Sequence, residues 1–188
     1  MAPRRAVGPR SRRRKVRVRR ASARDMDTLV EHRIGMWRDI GGRTERVLRA
    51  HEPVYRSWAG TRLRSGELSA VIAEVEGRPA GSGALWWMPA QPRPGLPAVT
   101  NPYILSVYTR PEYRGLGVAT AVVGELIRLA RRGRAARVTL HASSMGRGVY
   151  ERLGFEATTE MRKWLRPSAR SPRPGERVSR RGRAGSRR

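Results

Sequence analysis

The chain contains no cysteine. That absence excludes a disulfide framework, a thiolate metal site and a cysteine acyl-enzyme intermediate. Lysine is nearly as scarce: of 41 basic residues only Lys15 and Lys163 are lysines, which fits a genome favouring arginine codons better than selection for one polyanionic ligand. No apolar run approaches the roughly 18 residues that a membrane span requires. The basic N-terminus also lacks the apolar core of a secretory signal, so a soluble cytoplasmic protein is expected.

What is present is strong positive charge, unevenly spread. The formal net charge is +26 over 188 residues. Residues 1–15 hold seven basic and no acidic groups, and residues 166–188 hold nine basic and one acidic, which leaves +11 for the middle. Both ends are rich in Arg, Pro, Gly and Ser and cannot bury enough apolar surface to offset ordering entropy, so disordered tails are expected. If those tails bind nucleic acid or another polyanion, binding should fall steeply with salt. The remaining 16–165 reads as one domain, long enough to bury a core of its own.

Within that domain strands alternate with helices. Val16 and Val18 mark a first strand, and Ser22-Ala23-Arg24-Asp25 resembles a capping box before a helix that aligns Met26, Leu29, Val30, Met36, Trp37 and Ile40. A second helical stretch runs from Thr44 to Ser65, and Pro53 is expected to kink or split it. Leu68–Glu74 and Pro79–Trp87 read as an antiparallel hairpin. Five prolines between 88 and 102 predict a long surface connection. Tyr103–Thr109 is the next strand, followed by a helix from Leu116 to Arg132 that Gly133 stops. Because that helix is a crossover, the strand at Ala136–His141 should run parallel to the strand at Tyr103–Thr109. A short helix around Met145–Leu153 and a last strand at Met161–Leu165 complete an α/β reading.

The segment 107–120 carries the chemistry. A strand turns through Arg114, Gly115, Leu116, Gly117, Val118 and Ala119 directly into the long helix, and unpartnered N–H groups at a helix start attract anions. A nucleoside-triphosphate loop needs Gly-Lys-Ser/Thr, which does not occur. A dinucleotide loop needs a small residue where Thr120 stands and a carboxylate about 20 positions on, where Arg137 stands. The pattern Arg/Gln-x-x-Gly-x-Gly/Ala of an acyl-CoA loop is met by Arg114, Gly117 and Ala119.

This loop, followed by Tyr150-Glu151-Arg152-Leu153-Gly154-Phe155 after one helix and one strand, resembles the GCN5-related N-acetyltransferase (GNAT) family. The coarser similarity covers about 16–165. It implies an α/β fold with a mixed, mostly antiparallel twisted sheet of about six or seven strands, a central parallel pair and about four helices. It implies acetyl-CoA as acyl donor and a small-molecule or peptide amine as acceptor, attacked directly in a ternary complex. Val107, Tyr108 and Thr109 would hold the pantetheine arm, and Arg114, Gly115, Leu116, Gly117, Val118, Ala119 and Thr120 the pyrophosphate. Backbone N–H groups near Tyr108 and Thr109 would face the developing oxyanion from a strand bulge. Tyr150 occupies the position of the usual general acid, and a phenol of pKa about 10 can protonate a departing thiolate.

The base is less apparent. The strand at 101–108 offers Asn101, Tyr103, Ser106 and Tyr108 but no carboxylate, so a water chain is the default and His141 the leading side chain. Ser143 departs from the family pattern, standing where relatives commonly carry Asn, and would be a further cofactor contact. Glu31 and His32 are candidates to face the amine, with a solvated helix face the equal alternative, and Trp37, Tyr55, Trp86 and Trp87 are candidates for its walls. The pleat puts Trp86 and Trp87 on opposite faces. No metal site is expected, and a monomer or homodimer suits the chain. The competing reading is a GNAT-like module that binds CoA or nucleic acid without catalysis.

Overall fold

The computed structural model describes residues 15–92, 94, 100–161 and 163. Most of both expected tails, and most of the expected strand at 161–165, lie outside the described residues. The elements are β1 (Val16–Arg20), α1 (Met26–Ile40), α2 (Glu45–Ala50), α3 (Glu52–Ser65), β2 (Leu68–Val75), β3 (Arg78–Pro89), β4 (Thr100–Thr109), α4 (Val118–Arg132), β5 (Thr139–Leu140) and α5 (Arg147–Arg152), with single 3-10 turns at 23–25 and 111–113.

Ser22 and Asp25 form the expected capping box: Ser22 Oγ accepts from the Arg24 N–H, and Asp25 accepts from the Ser22 N–H. The stretch 44–65 divides at His51, leaving Pro53 in the first turn of α3, where its missing N–H costs no helical bond. Gly66 ends α3 in the left-handed conformation, at φ +81°.

The described sheet has five strands in the order β1-β2-β3-β4-β5, antiparallel except for the parallel pair β4–β5. Two expectations are not met among the described residues. Six or seven strands are not found among the described residues, and the parallel pair lies at one end of the described sheet rather than at its centre. The expected strand at 136–141 shrinks to two residues, Thr139 and Leu140, which pair with Tyr103 and Ile104.

The connection across 88–102 is also shorter than expected, because β3 continues to Pro89 and β4 starts at Thr100, with Trp87 opposite Pro102. Pro102 precedes the first residue paired with β5, so its missing N–H forfeits no ladder bond on that side.

Alternation along β2 divides the core. Val71, Ala73 and Val75 pack beneath α4 with Val122, Val123 and Leu126, whereas Leu68, Ala70 and Ile72 face Leu29, Val30, Tyr55 and Ala59 of α1 and α3. Glycines on β3 let α4 approach closely. A Cβ on Gly81 would lie 2.5 Å from the Tyr108 carbonyl oxygen and 2.7 Å from Val118, and one on Gly83 would lie 2.7 Å from Val122. That approach sets the N-terminus of α4 against the end of β4.

Candidate functional site

One cleft of about 1380 Å³ crosses the molecule from α1, α2 and α3, over β4, to the start of α4 and to α5. On the α4 side, Gly115 and Gly117 adopt φ +79° and +81°, a region that β-carbon-bearing residues avoid. Gly117 caps α4 without any side-chain hydrogen bond, and the first turn of α4 holds no acidic residue. Its leading N–H groups are therefore available to an anionic ligand, and Gly117, Val118, Ala119 and Thr120 all line the cleft. Arg114 braces the turn by donating from Nε to the Thr109 carbonyl at 3.3 Å while its guanidinium pairs with Asp39 at the end of α1. The Thr109 hydroxyl is buried with no hydrogen-bond partner among the described residues, which suits a polar group arriving from the cleft.

The β4 ladder is irregular beside this turn. Ser82 pairs with Tyr108 but Ala84 pairs with Leu105, so β4 has one residue more than β3 across this interval. Ser106 takes a positive φ of 54° in this bulge. The sequence reading places the oxyanion donors near Tyr108 and Thr109; the irregularity lies between Leu105 and Tyr108, and no turn residue announces it.

Tyr150 lines the cleft and packs edge-on against Phe155, with ring centroids 5.8 Å apart. Burial, and secondarily the neighbouring Tyr103, push its phenol above the usual value, so it stays protonated across the physiological range. Ser143 also borders the cleft, where its hydroxyl accepts from the Gly146 N–H at 3.2 Å and organises the approach to α5. His141, beyond β5, has both ring nitrogens engaged: Nδ1 with the Tyr103 hydroxyl and Nε2 with Glu160 at 3.1 Å. A carboxylate accepts only, so in the neutral imidazole Nε2–H donates to Glu160 and Nδ1 accepts from the Tyr103 hydroxyl.

On the α1 side the structure departs from the sequence reading. His32 is 1% exposed and does not face an acceptor. Its Nε2 accepts from Arg110 Nε at 3.2 Å, which leaves Nδ1 to donate to Ser82 Oγ at 3.0 Å. Burial first, then the positive charge of Arg110, lowers its pKa to about 4. Glu31 is held by Arg110, with both carboxylate oxygens at 2.8 Å. Trp87 packs against Gly133 and the α4 core, away from the cleft, whereas Trp37, Tyr55 and Trp86 line it.

Of the sequence-selected residues, Val107, Tyr108, Thr109, Arg114, Gly115, Gly117, Val118, Ala119, Thr120, His141, Ser143 and Tyr150 share the cleft. Leu116 does not, and its side chain is exposed instead. Sequence reasoning missed Arg33, Glu160 and the role of Tyr103. Arg33 had a legible signal: it lies three residues after Val30 and four before Trp37, a charge on the apolar stripe of α1.

Among the described residues there is no group of His, Asp and Glu that could hold a metal ion, and no helix long and apolar enough to cross a membrane. Residues 32–155 match the Acetyltransferase (GNAT) family. A GCN5-related N-acetyltransferase from Ralstonia eutropha JMP134 is similar, with 29% identity over 80% of this chain and 99% of that one at a TM-score of 0.74. A predicted acetyltransferase from Clostridium acetobutylicum, determined with acetyl-CoA, shares 25% identity over 80% and 96% of the two chains at a TM-score of 0.73. Glucosamine-6-phosphate N-acetyltransferase from Arabidopsis thaliana shares the fold, at 17% identity over 81% and 99% and a TM-score of 0.60. No curated protein sequence matched the chain.

Proposed function

The chain belongs to the GNAT acetyltransferase family, and from that premise we propose that it moves an acetyl group from acetyl-CoA to a primary amine by direct attack in a ternary complex. The observation that carries this reading is the single cleft in which an uncapped α4 N-terminus, the β4 bulge and a protonated Tyr150 meet a separate set of walls from α1, α2 and α3. Acetyl-CoA supplies the thioester.

The chain's own residues divide the remaining work. N–H groups of Gly117 to Thr120 receive the pyrophosphate, with Arg114 bracing the turn. The peptide groups of the 105–108 bulge, freed from the regular ladder, bind the pantetheine arm and polarise the acyl oxygen. Tyr150, half-buried and protonated, donates to the departing sulfur. For the amine proton, Tyr103, His141 and Glu160 form a relay: the Tyr103 hydroxyl takes the proton as it passes its own to His141, and Glu160 stabilises the imidazolium. The unit carrying the activity is residues 16–165, and no role in catalysis is assigned to the segments on either side. Amine-dependent release of free CoA thiol from acetyl-CoA tests the reading, and a protein that binds CoA but releases no thiol with any amine would leave the non-catalytic module.

A further inference from the structure

Arg33 of α1 points into the acceptor half of the cleft rather than away from it. Its Nη1 donates to Ser106 Oγ in the β4 bulge at 2.7 Å, and its guanidinium lies over the rings of Tyr55 at 4.5 Å and Trp37 at 5.8 Å. No carboxylate pairs with it among the described residues. Burial pulls its pKa below the ordinary arginine value, and an arginine guanidinium keeps its charge in proteins. The carboxylates that line the cleft are already engaged, Asp39 by Arg114 and Glu52 by Arg56 at 3.0 Å. A partly desolvated guanidinium with only a hydroxyl and two ring faces around it is undercompensated. Its remaining N–H edge suits an anionic oxygen group.

The position of that charge matters as much as its sign. Ser106 belongs to the bulge assigned above to the acyl oxygen, so a group bound at Arg33 sits close in its covalent skeleton to the attacking amine. The mouth beside it is largely apolar: Ile40, Val47 and Val54 line the cleft at 44%, 43% and 58% exposure, Trp37 and Trp58 continue the surface inward, and the polar residues among them are Arg43, stacked over Trp37 at 4.2 Å, and His51. From this juxtaposition we infer that the acceptor is an amine carrying an anionic oxygen group next to the nitrogen and an apolar body, as in an apolar α-amino acid. Polycationic amines are disfavoured by the same guanidinium.

The inference rests on the acetyl-transfer reading for its amine, but its test does not need turnover. Full-length protein saturated with CoA is titrated calorimetrically with phenylalanine, phenylalaninamide, 2-phenylethylamine and (1-amino-2-phenylethyl)phosphonic acid. Phenylalanine or the phosphonate should bind roughly tenfold or more tightly than the amide and the plain amine, the loss expected when a charge-assisted hydrogen bond is removed. Whichever anion binds tighter identifies the group as a carboxylate or a phosphonate-like tetrahedral oxyanion. In Arg33→Gln the ratio of phenylalanine to phenylalaninamide affinity should fall to about one, with CoA binding reporting that the variant is folded. If neither phenylalanine nor the phosphonate binds the unaltered protein more tightly than phenylalaninamide, the inference is overturned, whether or not the variant folds. Absence of thiol release with preserved anion discrimination would instead defeat the acetyl-transfer reading alone.

Discussion

A Cβ built on Gly35 would stand 2.6 Å from both Cζ and the hydroxyl oxygen of Tyr108. The middle of α1 therefore touches the tyrosine that follows the β4 bulge with no room for a methyl group. An alanine in a helix interior is ordinarily worth about 1 kcal/mol over glycine. Here Gly35→Ala should instead destabilise by about 1–3 kcal/mol, as overpacking does. Thermal melts should show a lowered midpoint that Tyr108→Ala partly restores, and a raised midpoint would contradict the contact.

His32 makes stability depend on pH. Its pKa is about 4 in the folded protein against 6.5 for an exposed imidazole, so between those values the unfolded chain binds a proton that the folded chain refuses. Its contribution is fully present above about pH 6.5 and is lost as pH falls toward 4, accumulating to about 3 kcal/mol. Denaturant titrations across that window should show the decline, and His32→Gln should flatten it. A wild-type stability that does not fall between pH 6.5 and 4 would contradict the buried neutral imidazole.

Tyr150→Phe keeps the ring against Phe155 and removes the proton. Thiol release should slow by roughly 10²-fold or more, the usual scale of one acid–base group. The CoA dissociation constant should change little. An unchanged rate would take the acid role from Tyr150.

Glu160→Gln leaves His141 with a neutral partner and so raises the cost of forming an imidazolium. Amine-dependent thiol release should slow roughly tenfold or more, with the CoA dissociation constant little changed. If the rate is unchanged, the amine loses its proton to water and the relay is wrong.

Much of this was legible beforehand because it is local. The glycine turn 115–117, the capping box at Ser22, the end of α3 at Gly66 and the opposed Trp86 and Trp87 all follow from backbone preference or pleat. The bulge at Ser106 is not local: it comes from the register between β3 and β4, and a serine there carries no turn signature. His32 was misplaced for a related reason. Beside Glu31 it reads as a solvated helix face, and only the arrival of Ser82 and Arg110, 50 and 78 residues away, supplies the partners that let it be buried. Glu160 and Tyr103 reach His141 in the same way, from separate parts of the chain. The prolines at 89 and 102 suggested a loop because strand position, which decides whether a missing N–H matters, is set by neighbours.

The most direct test of acyl transfer is an initial-rate study with acetyl-CoA labelled in the acetyl group and an amine acceptor, both concentrations varied. Direct attack in a ternary complex predicts intersecting reciprocal plots, label recovered on the acceptor nitrogen, and no labelled protein when amine is withheld. Parallel plots with label retained on the protein, or no amine-dependent release at all, would contradict it.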